Sequence, residues 1–199
     1  PASIPPVEAL GEETLAFTPE DRARGVATVC RLAGEEGLAA FGAYSTGTVE
    51  LAVCNSLGVA AYFPTTLAHL TLVVMGEGTS GHAEGAAWQV RQVDVEALAR
   101  EAIGRARQAR NPRDLPPGCY PVVLNFYAVA DILETLGSAG WGAPAYQEGR
   151  SFVSGRLGER VASPLVSVWD DGLDRSGLPM LFDFEGVPKR RVDLLREGV

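Results

Sequence analysis

Two amphipathic helices are predicted in the first half of the chain, one before and one after a long stretch of β-forming residues. The first begins at Thr18, where a capping threonine, a proline and an acid three residues after the cap form a helix start, and it ends at Gly37. The second begins at Asp94 and runs to about Arg110, with apolar side chains on one face. Both starts are local signals, so both helices are expected in the folded protein.

The stretch between these helices predicts antiparallel β-hairpins, because short apolar runs alternate with Gly, Asn, Ser and Pro. The predicted strands are residues 38–44, 49–53, 59–63, 66–75 and 86–93. The first hairpin turn is expected at residues 45–47, and the glycine-rich segment 76–85 is expected to be a loop.

A proline-rich break at residues 111–118 separates the two halves of the chain, since the prolines and glycine there disfavour both a helix and a central strand. Beyond it the pattern predicts a strand at 120–124, a helix at 125–136, and strands at 165–169 and 190–195. The predicted fold class is therefore α+β: a central domain of helix, antiparallel β-hairpins and helix, followed by the start of a β-rich C-terminal domain.

The expected domain organisation follows from these elements. We expect residues 1–16 to be a linker, residues 17–111 to be the central α+β domain, and residues 118–199 to be the start of the C-terminal domain. The chain lacks an initiator Met, opens with a proline-rich segment and stops within a predicted β region. We therefore expect it to be a fragment of a longer protein.

Composition and charge argue against several function classes. With 46% hydrophobic residues the chain can build a core, and a net charge of −8 without a basic stripe argues against nucleic-acid binding. The three cysteines (Cys30, Cys54 and Cys119) show no paired spacing, which is typical of reduced thiols in a cytoplasmic protein. No apolar run is long enough for a membrane span, so a membrane is not an expected partner. Because of the acidic net charge, a nucleic acid is not an expected partner either.

One glycine motif allows a nucleotide-binding hypothesis. The segment Gly76–Gly81 matches GxGxxG and follows a predicted strand, but the residues after it are poor helix starters. A hairpin tip is the favoured interpretation of this segment, and a nucleotide-binding module is the alternative.

Metal-ligating residues are sparse. The two histidines, His69 and His82, have no His or Cys three to five residues away, so a zinc site built within this chain is not expected. The acids of the second half cluster along the sequence, and glycines among them favour surface turns over a cation site; these acids are Asp170, Asp171, Asp174, Asp183 and Glu185. A metal site within this chain would need both histidines together with acids near Asp170.

Three segments after Gly118 carry a family pattern. They are Tyr120–Leu124 (YPVVL), Ser151–Leu165 (SFVSGRLGERVASPL), and an acid pair at Asp170–Gly172 followed by Asp-x-Glu-Gly-x-Pro at Asp183–Pro188. Their order and spacing resemble the TldD/PmbA family of metal-dependent peptidases, most strongly over residues 118–198. Residues 18–110 are similar to the central region of that family in their helix–hairpins–helix order.

In active members of that family, the helix after the Pro-Val-Val-Leu-like strand carries a His-Glu-x-x-x-His motif. Its histidines bind the metal, and its glutamate acts as general base on the bound water. Counted without gaps, that window falls on residues 134–139, where Glu134 replaces the first histidine, Thr135 the glutamate and Ala139 the second histidine. The resemblance therefore implies a chain without catalytic or metal-binding residues, as in the PmbA (TldE) branch. The second hypothesis is an active metallopeptidase with its ligands elsewhere, namely His69, His82 and acids near Asp170.

The same resemblance implies the partners. A PmbA-like subunit pairs with a TldD-type paralogue that carries a divalent metal, expected to be zinc, and the pair degrades extended or unfolded peptides and processes peptide precursors. Some names in the family refer to modulation of DNA gyrase, but this acidic sequence gives no support for DNA contact. We expect a non-catalytic cytoplasmic subunit without a cofactor of its own, whose exposed strand edges help to bind peptides.

Overall fold

The computed structural model of the chain describes residue 4 and residues 7–199, and the chain divides into two compact units. The first unit comprises the chain up to Asp114 together with Gly172–Arg190. The second comprises Leu115–Asp171 and Arg191–Val199. Both units contain helices and antiparallel strands, so the predicted α+β class is confirmed.

The first unit is built on a three-stranded antiparallel sheet in the order β1-β2-β3, with helices packed on one face. Its elements are α1 (Glu12–Leu15), α2 (Pro19–Glu35), β1 (Ala39–Cys54), β2 (Ala60–Gly76), β3 (Thr79–Ala87), a short 3-10 turn (Val90–Gln92) and α3 (Val95–Gln108). Three strands, two of them long, therefore replace the five short strands of the prediction.

Both predicted helices of this unit are present, and their starts are capped as expected. The Thr18 hydroxyl accepts a hydrogen bond from the Asp21 backbone N–H at 3.2 Å, and the Asp21 carboxylate accepts one from the Thr18 backbone N–H at 2.8 Å. The Asp94 carboxylate accepts from the Ala97 backbone N–H at 2.9 Å. These contacts satisfy backbone donors that the first helical turn leaves without an intrahelical partner.

The turn predicted at residues 45–47 is wrong, because β1 runs through that segment. Residues 45–47 pair with residues 67–69 of β2. Serine and glycine are turn residues, but the continuous pairing of the two strands outweighs that local signal. Pro64 is tolerated inside β2 because only β1 pairs with that part of the strand, so its other edge needs no ladder hydrogen bond.

The loop predicted at residues 76–85 is also wrong. A two-residue turn at Glu77-Gly78, with a φ of 64° at Gly78, joins β2 directly to β3, so the return strand begins before residue 86. Small residues of β3 lie against α3: a methyl group added at Gly81 would lie 2.0 Å from the Ala102 carbonyl oxygen. The close approach of the helix requires small residues in β3. The glycines among them are the reason that the sequence predicted a loop here.

The main core lies between the sheet and the helices α2 and α3. Alternate residues of β2 point into it, and Leu70, Leu72 and Val74 are each at most 3% exposed. The other buried members are Val29, Leu32, Ala33, Leu38, Ala68, Ala83, Ala87, Val90, Val93, Ala99, Ala102, Ile103 and Ala106. The many alanines allow α3 to sit close to the sheet.

A smaller apolar cluster holds residues 172–190 in the first unit. Its buried members are Ala9, Ala61, Phe63, Trp88, Leu181 and Phe182. The Trp88 indole N–H donates to the Arg175 carbonyl oxygen at 3.0 Å, and the Arg175 guanidinium carbon lies 4.8 Å from the Trp88 ring centre. Residues 172–190 therefore pack with the sheet of the first unit, although the prediction placed them in the C-terminal domain.

Part of the predicted linker is packed against the sheet. Ala9 is 1% exposed, and residues 12–15 form α1. The Gly11 backbone N–H donates to the Thr66 hydroxyl at 2.8 Å, and the Thr14 hydroxyl donates to the Trp88 carbonyl oxygen at 3.1 Å. Proline content and acids suggested a linker, but buried hydrogen bonds to distant residues fix this segment.

The second unit contains α4 (Phe126–Ala139), α5 (Ala143–Gln147) and a two-stranded antiparallel sheet of β4 (Val168–Asp170) and β5 (Val192–Leu195). The predicted helix and the last two predicted strands are thus present, the strands in shortened form. Among the described residues, no helix of either unit is long and apolar enough to cross a membrane.

Two predictions for this unit need correction. Residues 120–124 form no strand in the part of the chain that the structure describes, and Val123 is fully exposed. Their β-branched residues favour a strand, but none of the described strands pairs with them. Gly137, the predicted end of the helix, lies within α4, whose C-cap is Gly140.

Candidate functional site

The degenerate motif window lies on α4. Glu134, Thr135 and Ala139 are all exposed. Because α4 is regular α-helix throughout its length, residues 134 and 139 point about 140° apart around the helix axis. Two ligands at these positions would need a local bulge to reach one metal ion.

The side chains in this window do not provide the chemistry of a metallopeptidase. Ala139 has no ligand atom. The Thr135 hydroxyl donates to the Asp131 carbonyl oxygen at 3.0 Å, and a hydroxyl is a poor general base near neutral pH. Glu134 alone offers a carboxylate, whereas a catalytic zinc site combines several protein ligands.

His69 and His82 lie on the sheet of the first unit, on either side of Glu84. His69 Nε2 is 2.8 Å from one Glu84 carboxylate oxygen, and His82 Nε2 is 3.6 Å from the other. The sheet therefore brings together both histidines of the second hypothesis. Each faces its own oxygen of one shared carboxylate.

Across residue 4 and residues 7–199, no group of three or more His, Cys, Asp or Glu side chains is arranged to hold a metal ion. The three cysteines are exposed and free of disulfide bonds. The acids of the second half shape turns: the Asp183 carboxylate accepts from the backbone N–H groups of Glu185 and Val187, both at 2.9 Å. The Asp174 carboxylate likewise accepts from the Ser176 N–H at 2.8 Å.

The GxGxxG segment is the tip of the hairpin formed by β2 and β3. Gly76 pairs with Thr79, and an antiparallel strand follows the turn. A dinucleotide-binding motif needs a helix after the glycine loop, because the helix N-terminus receives the pyrophosphate. The nucleotide-binding hypothesis is therefore wrong for this segment.

The second unit contains a cavity of about 360 Å³ to which no sequence motif pointed. It is lined by Leu133 and Gly137 of α4, Trp141, residues 168–170 of β4, and Leu194 of β5. The Trp141 ring meets Phe152 edge-on, with ring centres 6.1 Å apart. Trp141 Nε1 is buried and has no hydrogen-bond partner among the described residues.

Charged residues hold the other tryptophan of the cavity. The Arg191 guanidinium carbon lies 4.4 Å from the Trp169 ring centre, and Arg191 Nε is 3.5 Å from an Asp193 carboxylate oxygen. A hydrogen bond from Arg196, together with the charges of Arg196 and Arg191, holds the pKa of Asp193 below its ordinary value. This pairing fixes Arg191 on the ring that borders the cavity.

An apolar groove of about 290 Å³ lies between α2 and β1. Its lining residues are Val26, Val29, Cys30, Ala40, Phe41, Gly42, Ala43, Leu70, Thr71 and Leu72. Within the described sheet β1 pairs only with β2, so one long edge of β1 presents backbone donors and acceptors beside this groove.

Structural comparison identifies the fold. Over its whole length the chain is similar to a modulator of DNA gyrase from Thermotoga maritima, with a TM-score of 0.88 and 21% identity, covering 100% of this chain and 48% of that one. It is also similar to TldE from Thermococcus kodakarensis, with a TM-score of 0.72 and 19% identity, covering 100% and 47%. At these identities the likeness shows a shared fold.

Sequence comparison then gives the family. Residues 117–199 match the PmbA/TldA metallopeptidase C-terminal domain. A Haemophilus influenzae protein named metalloprotease TldD homolog is 31% identical over 130 residues, which cover 62% of this chain and 27% of that protein. These matches confirm the resemblance of the chain to the TldD/PmbA family. The chain spans about half the length of the two solved structures.

Sequence reasoning found the window on α4 but not the cavity beside it. The lining residues come from positions as far apart as 133 and 194, and nothing local connects them. The one available signal was that two of the three tryptophans, Trp141 and Trp169, lie in the second half of the chain.

Proposed function

We propose that this chain is a subunit of a TldD/PmbA-type metallopeptidase complex that acts in proteolysis and peptide processing, and that the subunit itself is non-catalytic. The α4 window carries the proposal, because on the ungapped count Glu134, Thr135 and Ala139 fall where active members would have His-Glu-x-x-x-His. The family match over residues 117–199 supports it. The absence of the motif on that count supports placing the chain in the PmbA (TldE) branch.

A second protein would supply the catalytic groups. A TldD-type paralogue would contribute the histidines that hold a divalent metal, expected to be zinc, and the glutamate that activates the metal-bound water. The present chain would carry no cofactor. The two proteins would form a hetero-oligomer in the cytoplasm.

The role of this chain in the complex would be to bind the extended peptide. The open edge of β1 offers backbone hydrogen bonds to an added strand. Val26, Val29 and Cys30 of α2 line the groove beside that edge, where they would contact alternate side chains of the peptide. Phe41 of β1 is 57% exposed and adds apolar surface.

The deciding experiment is a peptidase assay of the chain alone and mixed with a TldD-type paralogue, with the metal content of each protein determined. We expect the chain alone to be inert and metal-free, and the mixture to cut an unstructured peptide faster than the paralogue alone. Bound metal and cleavage by the chain alone would overturn the non-catalytic role. A mixture no faster than the paralogue alone would overturn the partner role.

Strand addition at β1 has its own test. Successive residues of a strand direct their N–H groups to opposite sides, so one of Ala40 and Phe41 has its N–H on the open edge of β1. Replacing that residue by proline removes an outward donor and spares the pairing with β2, so both Ala40→Pro and Phe41→Pro are made. The other proline breaks a hydrogen bond to β2 and is expected to disturb the fold. The variant that remains folded is expected to bind peptide at least about tenfold more weakly than the wild type. Leu115→Pro, at an exposed position outside the sheet, is the matched control. Unchanged peptide binding in the folded variant would exclude β1 as the binding edge.

A further inference from the structure

We propose that the Arg22 guanidinium, held beside Thr46 of β1, binds a carboxylate of the peptide that pairs with this strand. The site would select peptides that carry an acidic side chain four residues away from an apolar one. The proposal rests on the proposed function, in which an extended peptide adds to the open edge of β1. It gives that role a substrate class.

Arg22 lacks a carboxylate partner, although its side chain is partly buried. It forms no salt bridge with any residue that the structure describes, and its neighbour Asp21 pairs with Arg24 instead. Arg105 is the one other arginine that is not exposed, and it pairs with Glu101 at 2.6 Å. Partial burial takes hydration from a charge, so a guanidinium without a counter-ion favours a ligand that brings one.

Two hydrogen bonds hold the guanidinium at β1. Both come from Arg22 Nη1, which donates to the Thr46 hydroxyl at 2.6 Å and to the Phe17 carbonyl oxygen at 3.3 Å. The donors on Nε and Nη2 have no acceptor among the described residues, and such a planar pair of N–H groups matches the two oxygens of a carboxylate. Because the group is held in place before the ligand arrives, less entropy is lost on binding.

The contacts between α2 and β1 fix the distance from Arg22 to the apolar groove. Arg22 contacts Thr46, and a methyl group added at Gly25 would lie 3.1 Å from a Tyr44 ring carbon. The groove follows at residues 40–43. Two helix-facing positions of β1, residues 42 and 46, are four residues apart, which is roughly 13 Å in a strand.

A peptide strand on the edge of β1 would present every second side chain to α2. The side chain opposite residue 42 would enter the apolar groove. The side chain opposite Thr46 would have its Cβ about 4.5–5.5 Å from the Thr46 Cβ, within reach of the guanidinium that bonds the Thr46 hydroxyl. In either strand direction the apolar and the acidic side chain are four residues apart. A basic side chain opposite Thr46 would be repelled.

Three fluorescein-labelled peptides test this selection on the full chain by fluorescence anisotropy. The first, Gly-Thr-Leu-Thr-Gly-Thr-Glu-Thr-Gly, places leucine and glutamate four residues apart, and the second replaces the glutamate with glutamine. The third, Gly-Thr-Leu-Thr-Gly-Glu-Thr-Thr-Gly, has the composition of the first, but its glutamate lies on the opposite face of the strand from the leucine. The first peptide is expected to bind at least about tenfold more tightly than either of the others.

Variants of the chain then assign the preference to Arg22. Arg22→Gln removes the charge and is expected to bind the glutamate and glutamine peptides equally. Arg22→Lys keeps the charge but not the planar pair of donors, so part of the preference should remain. Arg31→Gln is the matched control: it removes the same charge from an exposed site on α2, where Arg31 pairs with Glu35 at 2.6 Å, and should keep the full preference. Melting temperatures show which variants are folded.

Equal affinity of the wild type for the first two peptides would overturn the proposal, and so would a glutamate preference that survives in folded Arg22→Gln. Equal binding of the first and third peptides would exclude the strand geometry on which it depends. In each of these cases peptides still bind, so strand addition at β1 stands. Binding of no peptide would overturn this site together with strand addition, whereas the peptidase assay of the mixture with a TldD-type paralogue decides the partner role separately.

Discussion

Gly81 on β3 and Ala102 on α3 are in backbone contact: a single methyl group at Gly81 would lie 2.0 Å from the Ala102 carbonyl oxygen. The same methyl group would lie 2.5 Å from the Ala106 backbone nitrogen. No side-chain rotation can relieve a clash between backbone atoms, so this glycine sets the spacing between the helix and the sheet.

Gly81→Ala is therefore expected to lower the free energy of unfolding by about 1–3 kcal/mol, because α3 must move away from β3. Urea denaturation followed by circular dichroism measures the change. Gly47→Ala on β1 is the control: its added Cβ meets no atom within 4 Å, and it should be neutral or stabilising. Equal stability of the two variants would show that the contact is not tight in solution.

Thr66→Val should destabilise the first unit by about 1–3 kcal/mol, because the buried Gly11 N–H loses its partner and the Trp88 carbonyl oxygen keeps only the Thr14 hydroxyl. The Thr66 hydroxyl accepts from the Gly11 N–H at 2.8 Å and donates to the Trp88 carbonyl oxygen at 2.6 Å. Thermal unfolding measures the loss. Thr48→Val, at the exposed position paired with Thr66 on β1, is the control and should have little effect. A neutral Thr66→Val would mean that water replaces the hydroxyl.

The capping box of α2 should make stability depend on pH at the acid end. The hydrogen bond from the Thr18 backbone N–H, aided by the Thr18 hydroxyl and Arg24, lowers the pKa of the Asp21 carboxyl in the folded state. The unfolded chain then takes up the proton first as pH falls, so this contribution is complete above the unfolded-state pKa and is lost on passing through the folded-state pKa.

The difference in melting temperature between wild type and Asp21→Ala should accordingly be largest near neutral pH and shrink in acid. Scanning calorimetry across the acid range measures it. Adding Asp21→Ala to Thr18→Ala should remove little more, since the two side chains act as one cap. A difference that stays constant with pH would show that the carboxylate charge plays no part.

Trp88→Phe should loosen residues 172–190, because it removes the hydrogen bond from the indole to the Arg175 carbonyl oxygen at 3.0 Å. The expected loss of stability is about 0.5–1.5 kcal/mol. Limited proteolysis should then cut this segment faster than in the wild type. Trp169→Phe, in the other unit, should leave that cleavage rate unchanged, and equal rates in all three proteins would contradict the prediction.

The helices could be predicted from the sequence because their signals are local. Thr18 and Asp94 each place a capping side chain directly before an apolar repeat. The strands of the first unit were misplaced where composition reflects tertiary contacts. Gly81 is small because α3 lies against it, and residues 45–47 are extended because β2 pairs with them.

The candidate site, too, was only partly predictable from the sequence. The window at Glu134, Thr135 and Ala139 was placed on a helix by the family resemblance, and these residues lie on α4. The cavity next to it could not be foreseen, since Trp141 and Leu194 approach each other only after folding. A missing hydrogen-bond partner, such as that of the Trp141 indole, is a property of the folded state alone.

Residues 172–190 belong to the first unit, although the second unit begins at Leu115. A ribosome making this chain therefore releases the sheet long before the segment that covers Trp88 and Phe63. Until residue 190 has emerged, those apolar side chains are available to chaperones. For the same reason, truncation after Asp114 would not yield a finished module, so any shortened version should retain residues 172–190.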